Sequence, residues 1–164
     1  MDAHRRHSFI CKRAPGRTIR HHHLNKLIAC ALLTASIPNT KEPQGLCTSD
    51  GKCPDGLTLV PWQNGKPITW DVTVVSPLAD TYVALAARDP SATAEMAASN
   101  KTAKYAGHTS DYHFQPTAVK SLGRANESAI HFLTVLQITG LPFLLLLRST
   151  VEIGCLPSPL PHVA

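Results

Sequence analysis

A chain of 164 residues can bury the core of one domain but not of two large ones. Its net charge of +5 is gathered at the front, where residues 1–26 hold seven Lys or Arg and one Asp, against nine basic and ten acidic residues thereafter. That distribution suits an electrostatic contact with a polyanion, the plain alternative being a solubilising or disordered basic tail. Five cysteines, odd in number and without a Cys-x-x-Cys, argue against a disulfide framework. Arg and Lys recurring through residue 20 leave no apolar signal-peptide core, and residues 141–147, closed by Arg148, fall short of the ~20 residues of a membrane span. An intracellular protein without a membrane partner is expected, most simply nuclear if its partner is DNA.

Residues 1–20 read as a basic flexible arm, irregular at Pro15-Gly16, with Arg5, Arg6, Lys12, Arg13, Arg17 and Arg20 as candidate nucleic-acid contacts. His4, His7, Cys11 and the triplet His21, His22, His23 are metal-capable. His7-x3-Cys11 would make half of a zinc knuckle, but a structural site needs four ligands, so bound Zn²⁺ is not expected. Residues 21–36 predict a helix whose apolar face is Leu24, Leu27, Ile28, Ala31, Leu32 and Ala35, with His21, Lys26 and Thr34 off it, Cys30 semi-buried and Pro38 as the stop. Residues 39–46 suggest a short strand whose Pro43 marks an edge. Its Glu42 is either solvated or an accessory to a nearby site. Residues 48–51, Thr-Ser-Asp-Gly, form a turn.

Two apolar runs, residues 56–60 and 68–75, then flank Asn64-Gly65, a strong hairpin signal because both residues tolerate positive φ. Each run carries a carboxylate, Asp55 just before the first and Asp71 inside the second. A lone Asp among β-branched residues is costly to bury unless it is paired, hydrogen-bonded or bound to a cation. A strict two-residue turn would set Asp71 opposite Thr58 and Asp55 opposite Val74, leaving the acids offset; a wide loop between Pro61 and Pro67, or a bulge, would bring them closer. Residues 78–87 and 91–106 predict helices, the second capped at Gly107 and presenting Lys101, Lys104 and Tyr105 together. Residues 112–121 predict a strand, irregular at Pro116, and residues 127–137 a helix with Ile130, Leu133 and Leu136 on one side. Residues 138–164 are an irregular apolar, Pro-rich tail. The order of elements predicts an α/β layer arrangement with a mixed sheet.

Converging, Asp55 and Asp71 would suit Mg²⁺ or Mn²⁺, hard cations that take carboxylate oxygen and keep waters able to attack a phosphodiester. The reaction also needs a positive side chain near the developing charge. Two residues after Asp71 stands uncharged Thr73, so Lys104, or less simply Lys101, would supply it from the following helix; Lys66 lies in the turn. The plain alternative is a pair of structural carboxylates at a strand edge and a turn.

The segments HHHLNKLIACALLTASIP, DGKCPDGLTLVPWQNGKPITWDVTVV, AEMAASNKTAKYAGH and YHFQPTAVKSLG resemble the C-terminal restriction-like endonuclease region of retrotransposon polyproteins without long terminal repeats, over residues 21–127. In that family a reverse transcriptase precedes a zinc knuckle and an endonuclease with a PD-(D/E)xK-like core that nicks target DNA. The resemblance implies a small mixed sheet flanked by helices over residues 21–137, metal-binding roles for Asp55 and Asp71, and a charge role for Lys104 with Tyr105 packed beside it. Lys101 would be a phosphate contact and Glu42 a neighbour of the acids. The sequence departs from the family in having Cys53 where a basic residue commonly precedes Pro-Asp, in an incomplete knuckle, and in a tail that loses the helical pattern after Gln137. A fragment of such an element, originally fused to a reverse transcriptase, is the expectation; a vestigial domain that binds DNA through its basic arm without cleaving it is the alternative.

Overall fold

The structure, a computed structural model, describes residues 15–89, 91–108, 110–121 and 125–138. The proposed zinc-knuckle remnant, Arg5, Arg6, Lys12 and Arg13, and the tail lie outside them. Helix α1 (Pro15–Thr34) is followed by strand β1 (Asn39–Lys41), a 3₁₀ turn (Gln44–Leu46), β2 (Gly56–Thr58) and β3 (Ile68–Val75). Helices α2 (Asp80–Arg88) and α3 (Ala92–Lys104), a 3₁₀ turn (Ala106–His108), β4 (His113–Lys120) and α4 (Glu127–Ile138) complete the described chain.

The four strands form one open mixed sheet in the order β1-β2-β3-β4. The first three pair antiparallel, whereas β3 and β4 run parallel from Ile68 opposite His113 to Val75 opposite Lys120. A parallel pair needs a crossover, here made by α2 and α3. β3 is buried on both faces, so its side chains divide with the period of two. Ile68, Trp70, Val72 and Val74 pack in one core with Leu24, Ile28 and Leu32 of α1 and Phe132, Leu133 and Leu136 of α4. On the other side, Val75 and Ala118 pack against Ala94, Ala97 and Ala98 of α3. Asp71 sits in this strand, 3% exposed.

Several local expectations change. α1 is described from Pro15, six residues ahead of the predicted start. It stops before Pro38: Ser36 takes φ 61°, its N–H reaches Leu33 O at 2.9 Å, and the Ile37 N–H reaches Leu32 O at 2.8 Å. These bonds are the reciprocal pair of a left-handed helix terminus. Cys30 is exposed, as is Ile130, so the buried face of α4 is Ala129, Phe132, Leu133 and Leu136. Gly107 lies inside a 3₁₀ turn, and Tyr105 is the C-cap of α3.

The hairpin is half as expected. Asn64 (φ 51°) and Gly65 (φ 73°) make the tight turn, with Gln63 bridged to Lys66. The ladder does not continue in that register. Gly56 faces Trp70 and Leu57 faces Thr69, a slip of three residues absorbed between Thr58 and Trp62. The Thr58 hydroxyl supports the slip, donating to Val60 O at 2.9 Å and accepting the Ile68 N–H at 3.0 Å. Gly56 is required here, since a Cβ would run into the Trp70 ring. That ring is also held by its indole N–H, which donates to Asn25 Oδ1 of α1 at 2.9 Å.

The outer edge of β4 is occupied. Pro116 lies mid-strand, and at Ala118 the N–H donates to Asn126 Oδ1 at 2.9 Å while the carbonyl accepts the Asn126 N–H at 3.0 Å.

Candidate active site

The slipped register carries the two acids together. One residue beyond Gly56–Trp70, Asp55 comes level with Asp71. The ladder has stopped there, and Asp55 Oδ2 accepts the N–H of Val72 at 2.6 Å in place of a backbone partner. The same oxygen accepts from His21 Nε2 of α1 at 3.1 Å. Asp71 is met from the other side by Lys101 of α3, whose Nζ lies 2.8 Å from Oδ1 and 3.0 Å from Oδ2. The four side chains line one cavity of about 710 Å³ together with Lys104 and Tyr105.

Electrostatics follow from burial and pairing. Burial pushes the Asp71 carboxyl above its usual range, opposed by the Lys101 ammonium. The hydrogen bond to Asp55 raises the His21 imidazole above its ordinary value, against the opposing effect of burial. Tyr105 is raised by burial and by the negative charge of Asp71, and its hydroxyl donates to Cys53 O at 3.1 Å.

Both lysines line the cavity, with different partners. Lys104 pairs with Asp50 at 3.2 Å, its Nζ 5.3 Å from the Tyr105 ring centroid. Lys101 is the cation on the acid. On a helix Lys101 and Lys104, three residues apart, are both within reach of one face. Glu42 is exposed at the cavity rim; φ 47° turns its backbone so that its N–H donates to Asp55 O at 3.1 Å. Arg20 donates to Ser121 O at 3.4 Å, and Arg17 lies one turn before His21 on the same helix. His21 was visible only as one of three histidines off the apolar face; its meeting with Asp55 needed the packing of α1.

A disulfide joins Cys47 to Cys53, contrary to the expectation from cysteine count. The turn between them closes the spacing: Thr48 N–H donates to Lys52 O at 2.9 Å, Gly51 N–H to Thr48 O at 2.8 Å, and Gly51 takes φ 73°. Asp50 in this turn is held well below the usual carboxylate range, chiefly by the Thr48 hydroxyl. The cross-link ends two residues before Asp55 and lines the cavity.

The donor chemistry of Asp55 and Asp71 fits a hard cation such as Mg²⁺ or Mn²⁺, which takes one or two carboxylates and completes its shell with water and phosphate oxygen. Among the described residues no group of three or more His, Cys, Asp or Glu is placed to hold an ion, so the protein's share would be these two. No helix among the described residues is long and apolar enough to cross a membrane. No protein-family model matches the chain, and no curated protein does.

Proposed function

We propose that this domain is a divalent-cation-dependent DNA endonuclease of the restriction-like kind its sequence resembles, derived from a retrotransposon polyprotein. The observation that carries the reading is the three-residue slip, which brings Asp55 level with Asp71 in a cavity also lined by Lys101 and His21. Asp55 and Asp71 would hold Mg²⁺ or Mn²⁺, which when bound activates water and offsets charge on a phosphodiester. Lys101, paired with Asp71, would supply the positive side chain near the charge that develops on the phosphodiester. His21 can hold or release a proton beside Asp55 and orients that carboxylate. Tyr105 supports the loop before Asp55 through Cys53 O.

A DNA-binding domain without cleavage is the second reading, favoured by the fact that each acid already has a cationic partner. A plasmid-nicking assay on the full chain with Mg²⁺, Mn²⁺ or chelator separates the two. Cation-dependent nicks that vanish in Asp71→Ala support the enzyme; nicks unchanged in that variant, or none from a folded sample, overturn it.

A further inference from the structure

We propose that a second cavity, behind His21 and Lys101, binds a phosphate group of a polynucleotide strand next to the phosphodiester presented to Asp55 and Asp71. This rests on the endonuclease reading for its position along the strand. The cavity is about 420 Å³ and is lined by Arg17, Thr18, His21, Thr73 and Lys101 beside the two valines that flank Thr73 on β3. His21 and Lys101 also line the first cavity, so the two share a wall.

The signs of charge divide across that wall. The first cavity mixes Asp55, Asp71 and Glu42 with its cations, as a cation site requires. Among the described residues no carboxylate lines the second, whose ionisable lining is Arg17, His21 and Lys101. His21 pairs with Asp55 and Lys101 with Asp71, and both cations also line the second cavity. Arg17 is half-buried and makes no ion pair or hydrogen bond among the described residues. The Thr73 hydroxyl is buried and has no hydrogen-bond partner either. Neither the half-buried Arg17 guanidinium nor the Thr73 hydroxyl has an acceptor among the described residues, and buried polar groups are seldom left so. A phosphate supplies several acceptor oxygens, and Arg recognises it through a planar fork of donors. Thr73, two residues after Asp71, would then contribute a neutral donor to the neighbouring phosphate while Lys101 serves the acids.

The test is DNA binding by the full chain in chelator, where no cleavage occurs. Fluorescence anisotropy of a labelled single-stranded oligonucleotide is read between about 50 and 200 mM salt for wild type, Arg17→Gln, Thr73→Val and Arg88→Gln, a cation that lines neither cavity. Loss of one phosphate contact lowers the slope of log affinity on log salt by about 0.7 for a single strand. That drop is expected in Arg17→Gln and not in Arg88→Gln. Thr73→Val, nearly isosteric, is expected to weaken binding several-fold with its melting temperature retained. Arg17→Gln behaving as Arg88→Gln does, or Thr73→Val binding as wild type, overturns the site. Inorganic phosphate is the second probe. Its capture by wild type but not by Arg17→Gln, with DNA affinity equal in both, would assign the cavity to free phosphate and overturn the polynucleotide. Arg17-dependent binding by a protein that does not nick plasmid leaves this site standing and removes the endonuclease.

Discussion

Asp55 is fastened to Val72: its Oδ2 accepts the Val72 N–H at 2.6 Å, so the first acid is clamped to the residue that follows the second. The clamp predicts that Asp55 is structural as well as chemical. Asp55→Ala leaves the Val72 N–H and His21 without their acceptor and should cost about 1–3 kcal/mol. Asp55→Asn keeps one acceptor oxygen and should cost less. Thermal melts read the difference; nicking should be lost in both, because neither retains a carboxylate. Equal melting temperatures for Asp55→Ala and wild type would show that the clamp contributes nothing.

Lys101 and Lys104 should separate in the same assay. Lys101→Met removes the cation on Asp71 and should lower the nicking rate by about 100-fold or more, the usual effect of losing a transition-state charge partner. Lys104→Met breaks an exposed pair with Asp50, worth little in stability, and should change the rate by less than about threefold. The reverse order would return the charge role to Lys104.

The pH dependence of stability has a definite sign. His21 is raised above 6.5 in the fold, so the stability it contributes is complete below pH 6.5 and is lost as pH rises through its higher folded value. The raised Asp71 carboxyl acts in the same sense from a lower start, being most favourable below 3.8 and losing its contribution as pH climbs through its own folded value. In cation-free buffer the melting temperature should fall as pH increases above about 6.5. His21→Gln should flatten that fall. An unchanged slope in the variant would mean that the His21–Asp55 contact does not hold a proton.

What could be read beforehand was set by short-range rules. The Asn64-Gly65 turn, the apolar rows of α1 and the β-branched run of β3 are written in spacing alone, and so were the two isolated carboxylates. The register was not. It depends on the Thr58 side chain substituting for a ladder bond, and on Gly56 admitting the Trp70 ring, neither of which alternation reveals. Three-residue spacing puts both Lys101 and Lys104 near one helix face, so the preference for Lys104 could not anticipate which of them meets Asp71. His21 and Asn25 were missed because a polar residue beside an apolar row shows no partner until a second element packs on it.

The Cys47–Cys53 cross-link gives a further expectation. By loop-closure entropy alone a bridge across so short a segment should stabilise the fold by about 2 kcal/mol. Reducing agent, or Cys53→Ser, should therefore lower the melting temperature. The loop also carries the Cys53 carbonyl that anchors Tyr105 and the Asp50 that holds Lys104, so chemical-shift changes on reduction should reach both. Identical melts with and without reductant would show that the bond does not form in solution.

The bonds between Asn126 and Ala118 have a consequence for how the chain behaves at high concentration. A parallel strand at the rim of a sheet is a template on which another molecule can lay a strand of its own. Here Pro116 withholds one donor and Asn126 takes a donor and an acceptor with both side chain and backbone, while the opposite rim, β1, is three residues long. Neither border offers an uninterrupted ladder, so the sheet itself is guarded against the edge-to-edge growth that leads to swapped dimers and fibrils.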